Sequence, residues 1–149
     1  MRKSMMAAVA ATILAGVDFG ALPATAAEHQ VQMRNKGAEG PMVFEPSYLK
    51  IAPGDTVRFL ATDKGHNVLS IDGMSPDGAA PFKSKMNEDI AVTFDKPGVY
   101  GFECKPHYGM GMVGLIVVGD PVNLAEAQAV PQKGKAKKRF KALFGNAGQ

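Results

Sequence analysis

The sequence predicts an all-β sandwich followed by two α-helices. Short apolar or alternating runs make up most of the body of the chain, and turn residues separate them. Pro53-Gly54-Asp55 and Lys96-Pro97-Gly98 are two such turns. After Asp120-Pro121 the composition changes to Ala, Lys and Leu, which favours helix.

The alternation predicts six main strands and two shorter ones. The main strands are expected at His29 to Arg34, Tyr48 to Ile51, Thr56 to Thr62, Asp89 to Phe94, Val99 to Cys104 and Met112 to Val118, and the shorter ones near Val43-Phe44 and Val68-Leu69. Residues 73–88 are expected to be irregular, with room for a short helical turn.

Two neighbouring strands carry the strongest patterns. In the strand from Val99, alternation places Tyr100, Phe102 and Cys104 on the core side and Glu103 on the other. The strand from Met112 is apolar on both faces, so it is expected at the centre of a sheet.

The tail is predicted to form helices at Asn123 to Val130 and Lys133 to Phe144, separated by Pro131 and Gly134 and ending near Gly145. The second has an apolar stripe of Ala136, Phe140, Leu143 and Phe144 with lysines opposite. We expect this stripe to pack on the sandwich. A helix lying on a membrane surface is the alternative.

The amino-terminal segment has the features of a secretory signal peptide. Met1-Arg2-Lys3 precedes a short apolar run, and small residues at Ala24-Thr25-Ala26 predict cleavage after Ala26 or, less favourably, Ala27. Removing residues 1–26 leaves 123 of the 149 residues, enough for one domain at 27–149 with a helical extension at 121–149. Export to the periplasm is expected.

Charge is divided unevenly along the chain. Residues 27–130 hold 9 basic and 13 acidic residues, a balance of −4, whereas residues 131–149 hold six basic residues and no acid. These six basic residues are not accompanied by basic residues spread over a nucleic-acid-binding surface or by a nucleic-acid-binding motif, so nucleic-acid binding is not expected.

The segment from Glu103 to Met112 contains the single cysteine, a histidine and two methionines. A thiolate, imidazoles and a weak thioether are the donors of a blue-copper electron-transfer centre. Cys104, His107 and an upstream His66 would supply three ligands, and either Met110 or Met112 the fourth. An exported lone thiol is unusual, and metal ligation accounts for it.

Two other functional classes use the same residue types. A copper chaperone or storage protein would use several exchangeable Met or His ligands on a flexible segment. A Cys-His hydrolase would need Cys104 activated by a histidine beside an oxyanion site, but His107 is too close in sequence and no orienting partner is evident.

Gly65-His66-Asn67 followed by Cys104-x-x-His107-x-x-x-x-Met112 resembles the signature of the cupredoxin family, and stretches such as Asp63 to Val68 are similar to its pseudoazurin group. The resemblance implies an eight-stranded Greek-key β-sandwich binding one type 1 copper ion. It also selects Met112 over Met110 as the axial ligand. Asn67 is expected to join the two ligand loops, and Pro106 to restrict the second loop.

The resemblance further implies a soluble, monomeric periplasmic electron carrier that is not an enzyme and does not insert into membranes. Its expected partner is an acidic redox protein, copper nitrite reductase, in denitrification. An apolar collar would surround the exposed edge of His107, formed by Met42, Pro106, Tyr108 and Met110. A ring of loop lysines would steer the partner, namely Lys36, Lys64, Lys83, Lys85 and Lys105. Glu103 stands where relatives commonly have lysine, and Lys105 would compensate for it.

Overall fold

In the computed structural model, which describes residues 25–149, eight strands form two four-stranded sheets. The strands are β1 (Glu28–Gly37), β2 (Gly40–Glu45), β3 (Tyr48–Ile51), β4 (Asp55–Leu60), β5 (Leu69–Ser70), β6 (Ile90–Phe94), β7 (Gly98–Glu103) and β8 (Val113–Val118). All the predicted strands are present, with ends shifted by up to three residues. The predicted signal peptide, residues 1–26, lies outside the described residues except for its last two.

The order of strands is β2-β1-β4-β6 in the first sheet and β3-β8-β7-β5 in the second. β1 with β4 and β3 with β8 are parallel pairs, and the other neighbours are antiparallel. β8 is therefore an inner strand, as its apolar sequence predicts.

Two helices follow the sandwich, α1 (Leu124–Ala129) and α2 (Gly134–Ala147). Both predicted helices are present, and α2 continues two residues past its predicted end near Gly145, to Ala147, whose side chain is buried in the same cluster as the rest of the stripe. Lys105–Met110 forms a 3-10 helix that the alternation pattern does not predict. Residues 73–88 contain turns and one isolated bridge residue, Lys83, and no helix.

One hydrophobic core lies between the two sheets. Phe44 and Phe59 from the first sheet meet Phe102 from the second edge to face, with ring centroids 4.8 and 5.2 Å apart. Cys104 belongs to this core and is fully buried, as the alternation in β7 predicts. Burying each phenylalanine contributes about 2–3 kcal/mol.

A second core lies between the outer face of the second sheet and the helices. Val113, Leu115 and Val117 of β8 pack there with Phe140 and Leu143 of α2. The apolar stripe of α2 is thus used inside the molecule, so packing on the sandwich was the correct alternative. Within the described range, no helix has both the length and the apolar character needed to cross a membrane.

Candidate metal centre

Two connections between strands hold the residues of the centre. His66 lies in the loop between β4 and β5, whereas Cys104, His107 and Met112 lie in the connection from β7 to β8. Because β7 and β8 are hydrogen-bonded neighbours, the ends of the second connection are fixed by the sheet. Cys104 N–H donates to Met112 O at 3.0 Å and continues that pairing past the strand ends.

His66, Cys104 and His107 lie together with their ligand atoms all within 4.8 Å of one another. The Cys104 sulfur lies 3.6 Å from His66 Nδ1 and 3.5 Å from His107 Nδ1. The same nitrogen of each imidazole therefore faces the sulfur. His66 and Cys104 are fully buried, and His107 is partly exposed.

The two methionines of the ligand segment have different environments. Met112 is fully buried and belongs to the same core cluster as Cys104, and its N–H donates to His107 O at 3.2 Å. Met110, by contrast, is 42% exposed. Burial beside the cysteine distinguishes Met112 as the thioether available to a metal.

Asn35 is a site residue that the sequence analysis did not single out. Its side-chain oxygen lies 2.9 Å from His66 Nε2, and its own N–H donates to Asp63 Oδ2 at 2.7 Å. Because the Asn35 oxygen accepts a hydrogen bond, the proton of the neutral His66 ring lies on Nε2, and Nδ1 keeps its lone pair on the side of the sulfur. A metal ion needs this tautomer to bind at Nδ1. Asn35 is 31 residues before His66, so no local motif indicates the contact.

Asn67 joins the two connections. Its Oδ1 accepts a hydrogen bond from Lys105 N–H at 3.0 Å. The backbone amides of Asn67 and His107 act to lower the pKa of the Cys104 thiol, and the His107 N–H donates a hydrogen bond to the Cys104 carbonyl oxygen at 3.2 Å. Amide groups near a sulfur stabilise negative charge on it and tune the potential of a thiolate-bound metal.

Burial has the largest effect on the pKa of both Cys104 and His66. It raises the pKa of the Cys104 thiol, although the two amides act in the opposite direction. It lowers the pKa of His66, assisted by the nearby His107 and opposed by Asp63. The cluster without a metal therefore favours a thiol and a neutral imidazole, and a metal cation must displace the thiol proton to bind.

The donor set fits copper. One sulfur and two imidazole nitrogens converge beside a buried thioether, and softness of this kind selects copper over the hard cations that prefer oxygen ligands. Four protein donors would also close the shell, whereas a catalytic metal site keeps a position open for water or substrate. The arrangement suits electron exchange.

The 3-10 helix is held from outside by the segment that leads into α2. Tyr108, next to His107, donates its hydroxyl hydrogen to Gln132 Oε1 at 2.7 Å and accepts a hydrogen bond from Lys133 N–H at 3.2 Å. Pro106 occupies the first turn of the 3-10 helix, where its missing N–H costs nothing, and it is exposed.

The surface near His107 combines apolar and basic side chains. Met110 is exposed, as is Met86, at 46%, which the sequence analysis did not identify. Asn87, the neighbour of Met86, donates its N–H to His66 O at 2.8 Å, which places this methionine near the centre. Met42 is only half-buried and packs against the main core.

All five lysines of the expected ring are exposed. Three of them lie within two residues of a residue of the centre, because Lys36 follows Asn35, Lys64 is two residues before His66, and Lys105 follows Cys104. The other two, Lys83 and Lys85, flank the buried Ser84. Ser84 Oγ accepts a hydrogen bond from Val68 N–H at 3.0 Å, which ties its segment to the His66 loop. Lys105 Nζ lies 3.6 Å from Glu103 Oε1, the compensation expected from the sequence.

Comparison with known proteins gives a consistent result. The family model for copper binding proteins of the plastocyanin/azurin family matches residues 31–119. A pseudoazurin of Methylorubrum extorquens is 50% identical over 139 residues, covering 93% of this chain and 94% of the relative, and one of Paracoccus pantotrophus is 49% identical over 138 residues, covering 92% of each. The crystal structure of pseudoazurin from Methylobacterium extorquens AM1 superposes with a TM-score of 0.78 at 50% identity, covering 80% of this chain and 98% of that one.

Proposed function

This chain belongs to the plastocyanin/azurin family of copper-binding proteins, within its pseudoazurin group, and on that premise we propose that it delivers single electrons to copper nitrite reductase in the periplasm. Family membership establishes the cupredoxin β-sandwich and the general role, a blue-copper electron carrier with one type 1 copper ion that is not an enzyme. The ligand residues, the partner and the compartment belong to the proposal.

The proposed ligands are His66 Nδ1, Cys104 Sγ, His107 Nδ1 and the Met112 thioether. The observation that supports this set most strongly is the convergence of the sulfur on the same nitrogen of both imidazoles, at 3.6 and 3.5 Å. Copper held by these donors would supply a one-electron couple between Cu(II) and Cu(I).

The protein's own groups keep the donors in place during that exchange. Asn35 fixes the tautomer and orientation of His66, while Asn67 ties the Cys104 connection to the His66 loop by accepting the Lys105 N–H. Because these restraints tie β1, the His66 loop and the Cys104 connection together, the donors need to move little when the charge changes. Small reorganisation favours rapid transfer, and a flexible chaperone or storage site would lack such restraints.

Electron exchange is proposed to occur through the partly exposed edge of His107. Exposed Met110 and half-buried Met42 would provide apolar contact, and the lysine ring would attract an acidic surface. Charge attraction of this type accelerates encounter and weakens as salt is added. Periplasmic location is inferred from the proposed signal peptide at residues 1–26, which would leave one mature domain at 27–149.

Two matched pairs of variants test the proposal. Met112→Gln should change the visible spectrum and the reduction potential of the copper protein, whereas Met110→Gln should leave both nearly unchanged. Retention of the wild-type spectrum and potential in Met112→Gln would exclude Met112 as the axial ligand.

For the partner, the reduced protein is mixed with purified copper nitrite reductase in a stopped-flow spectrometer. Lys64→Glu should lower the second-order rate about fivefold at low ionic strength, because it reverses a charge near His66. Lys96→Glu is the control, because it makes the same charge change far from the centre. Lys96 lies before the start of β7, whereas Cys104 lies just after its end. Equal rates for both variants would contradict the proposed docking face.

A further inference from the structure

We infer that a groove between the ligand segment and α2 extends the docking surface and receives a carboxylate-bearing loop of the redox partner. This inference rests on the proposed function, because it assumes electron exchange near His107. It adds a contact region formed by the carboxy-terminal helix, outside the lysine ring predicted from the sequence.

The groove is formed where α2 approaches the ligand segment most closely. Gly111 has a left-handed backbone with φ of +87°, and a Cβ there would lie 3.2 Å from Lys135 Cβ and 3.4 Å from its backbone. Glycine therefore permits the close approach of α2. The resulting groove has a volume of about 460 Å³, and exposed Met110 lies on its wall.

The charge of the groove is positive. Lys135, Lys138 and Arg139 line it, and Glu39 is its single acid. Glu39 is already engaged, because its Oε2 accepts hydrogen bonds from Ser47 Oγ at 2.6 Å and Arg139 Nη1 at 3.3 Å. Lys135 and Lys138 are exposed and, within residues 25–149, form no ion pair.

This charge matches the partner already proposed. An acidic protein that contacts Met110 at the exposed edge of the centre would present its adjoining surface to the same wall of the groove. A carboxylate entering the groove would meet Lys135 and Lys138, while the one acid of the groove, Glu39, is already paired with Arg139. The shape favours a protein loop over a membrane, since a flat lipid surface cannot enter a concave groove and the apolar stripe of α2 is buried against β8.

α2 offers a matched control within the same helix. Lys141 is exposed like Lys135 but lines a second groove, between α1 and α2, with Phe140 and Phe144. Lys138 lines both grooves, whereas Lys135 and Lys141 each line one. Lys135→Glu and Lys141→Glu make the same change in net charge. A difference between them therefore reports position and not overall charge.

The test compares both variants with wild type and with Lys64→Glu in the reaction with copper nitrite reductase. Lys135→Glu should lower the second-order rate about fivefold at low ionic strength, Lys141→Glu less than twofold, and Lys135→Gln an intermediate amount. The visible spectrum and potential should match wild type in each, which separates docking from damage to the centre. Amide resonances of Gly111 and Lys135 in the reduced protein should shift when the partner is added.

Several results would overturn the inference. Equal slowing by Lys135→Glu and Lys141→Glu would show an effect of net charge alone. An unchanged rate in Lys135→Glu, with slowing in Lys64→Glu, would refute the groove while leaving the proposed function intact. If neither wild type nor any variant reacted with the enzyme, the proposed partner itself would fail. Loss of binding to phosphatidylglycerol vesicles in Lys135→Glu, with an unchanged reaction rate, would assign the groove to membranes.

Discussion

Asn35 provides the most informative perturbation, because it is an exposed residue whose side chain bonds one atom of the buried His66. His66 is fully buried, and its Nε2 lies 2.9 Å from Asn35 Oδ1. Asn35→Ala would leave a buried N–H without its acceptor, which costs about 1–3 kcal/mol in free energy of unfolding. The backbone N–H of Asn35 would still reach Asp63, so the loop itself should keep its path.

Copper affinity should fall as well as stability. Partners that orient a ligating histidine typically contribute about 10- to 100-fold to metal affinity. Urea unfolding of the copper-free protein measures the first effect, and competition with a chelator of known affinity measures the second. Asn35→Asp is the matched control, because a carboxylate still accepts the hydrogen bond, so copper affinity should stay within a few fold of wild type.

The refuting result is specific. If Asn35→Ala unfolded with the wild-type free energy and bound copper with the wild-type affinity, the Asn35 contact would have no role in fixing His66. A loss of stability shared equally by Asn35→Ala and Asn35→Asp would mean that the asparagine shape, and not the acceptor, matters.

Three further outcomes are expected. Tyr108→Phe removes the hydroxyl that bonds Gln132 and should lower the free energy of unfolding in urea by about 1 kcal/mol while keeping the blue colour. Phe140→Ala should cost about 3–5 kcal/mol by the same assay, since Phe140 is almost fully buried. The Ala27 N–H, with other donors, holds the pKa of Asp55 below its ordinary 3.8, so its contribution to stability should be complete above that pH and lost as pH falls through the lowered pKa. Asp55→Asn should flatten this acid limb of the urea-unfolding free energy against pH, and an unchanged limb would contradict the assignment.

The strands and the position of the cysteine could be predicted because both follow from local alternation. β8 is apolar at every position and lies between β3 and β7, and alternation in β7 places Cys104 in the core. The helical stripe predicted the buried side of α2 in the same way. The spacing of apolar residues along a strand or helix is enough to predict which of its side chains are buried when the element packs through one face.

Contacts between distant segments could not be predicted in this way. Asn35 meets His66 because β1 pairs in parallel with β4 and the loop after β4 continues alongside the end of β1, where Asp63 N–H donates to Met33 O at 3.0 Å. The contact of Tyr108 in the 3-10 helix with Gln132 and the close approach of Lys135 to Gly111 depend likewise on where α2 docks. The choice of Met112 required the family resemblance, because composition alone leaves Met110 equally suitable and only burial separates them.

The most direct test of the central claim is a visible absorption and electron paramagnetic resonance titration of the purified copper-free protein with Cu(II), followed by ascorbate. The account predicts an intense sulfur-to-copper band that saturates at one equivalent, bleaches on reduction, returns on reoxidation and is absent from Cys104→Ser. A pale product insensitive to ascorbate, or the same band in Cys104→Ser, would contradict the proposed Cys104 copper centre.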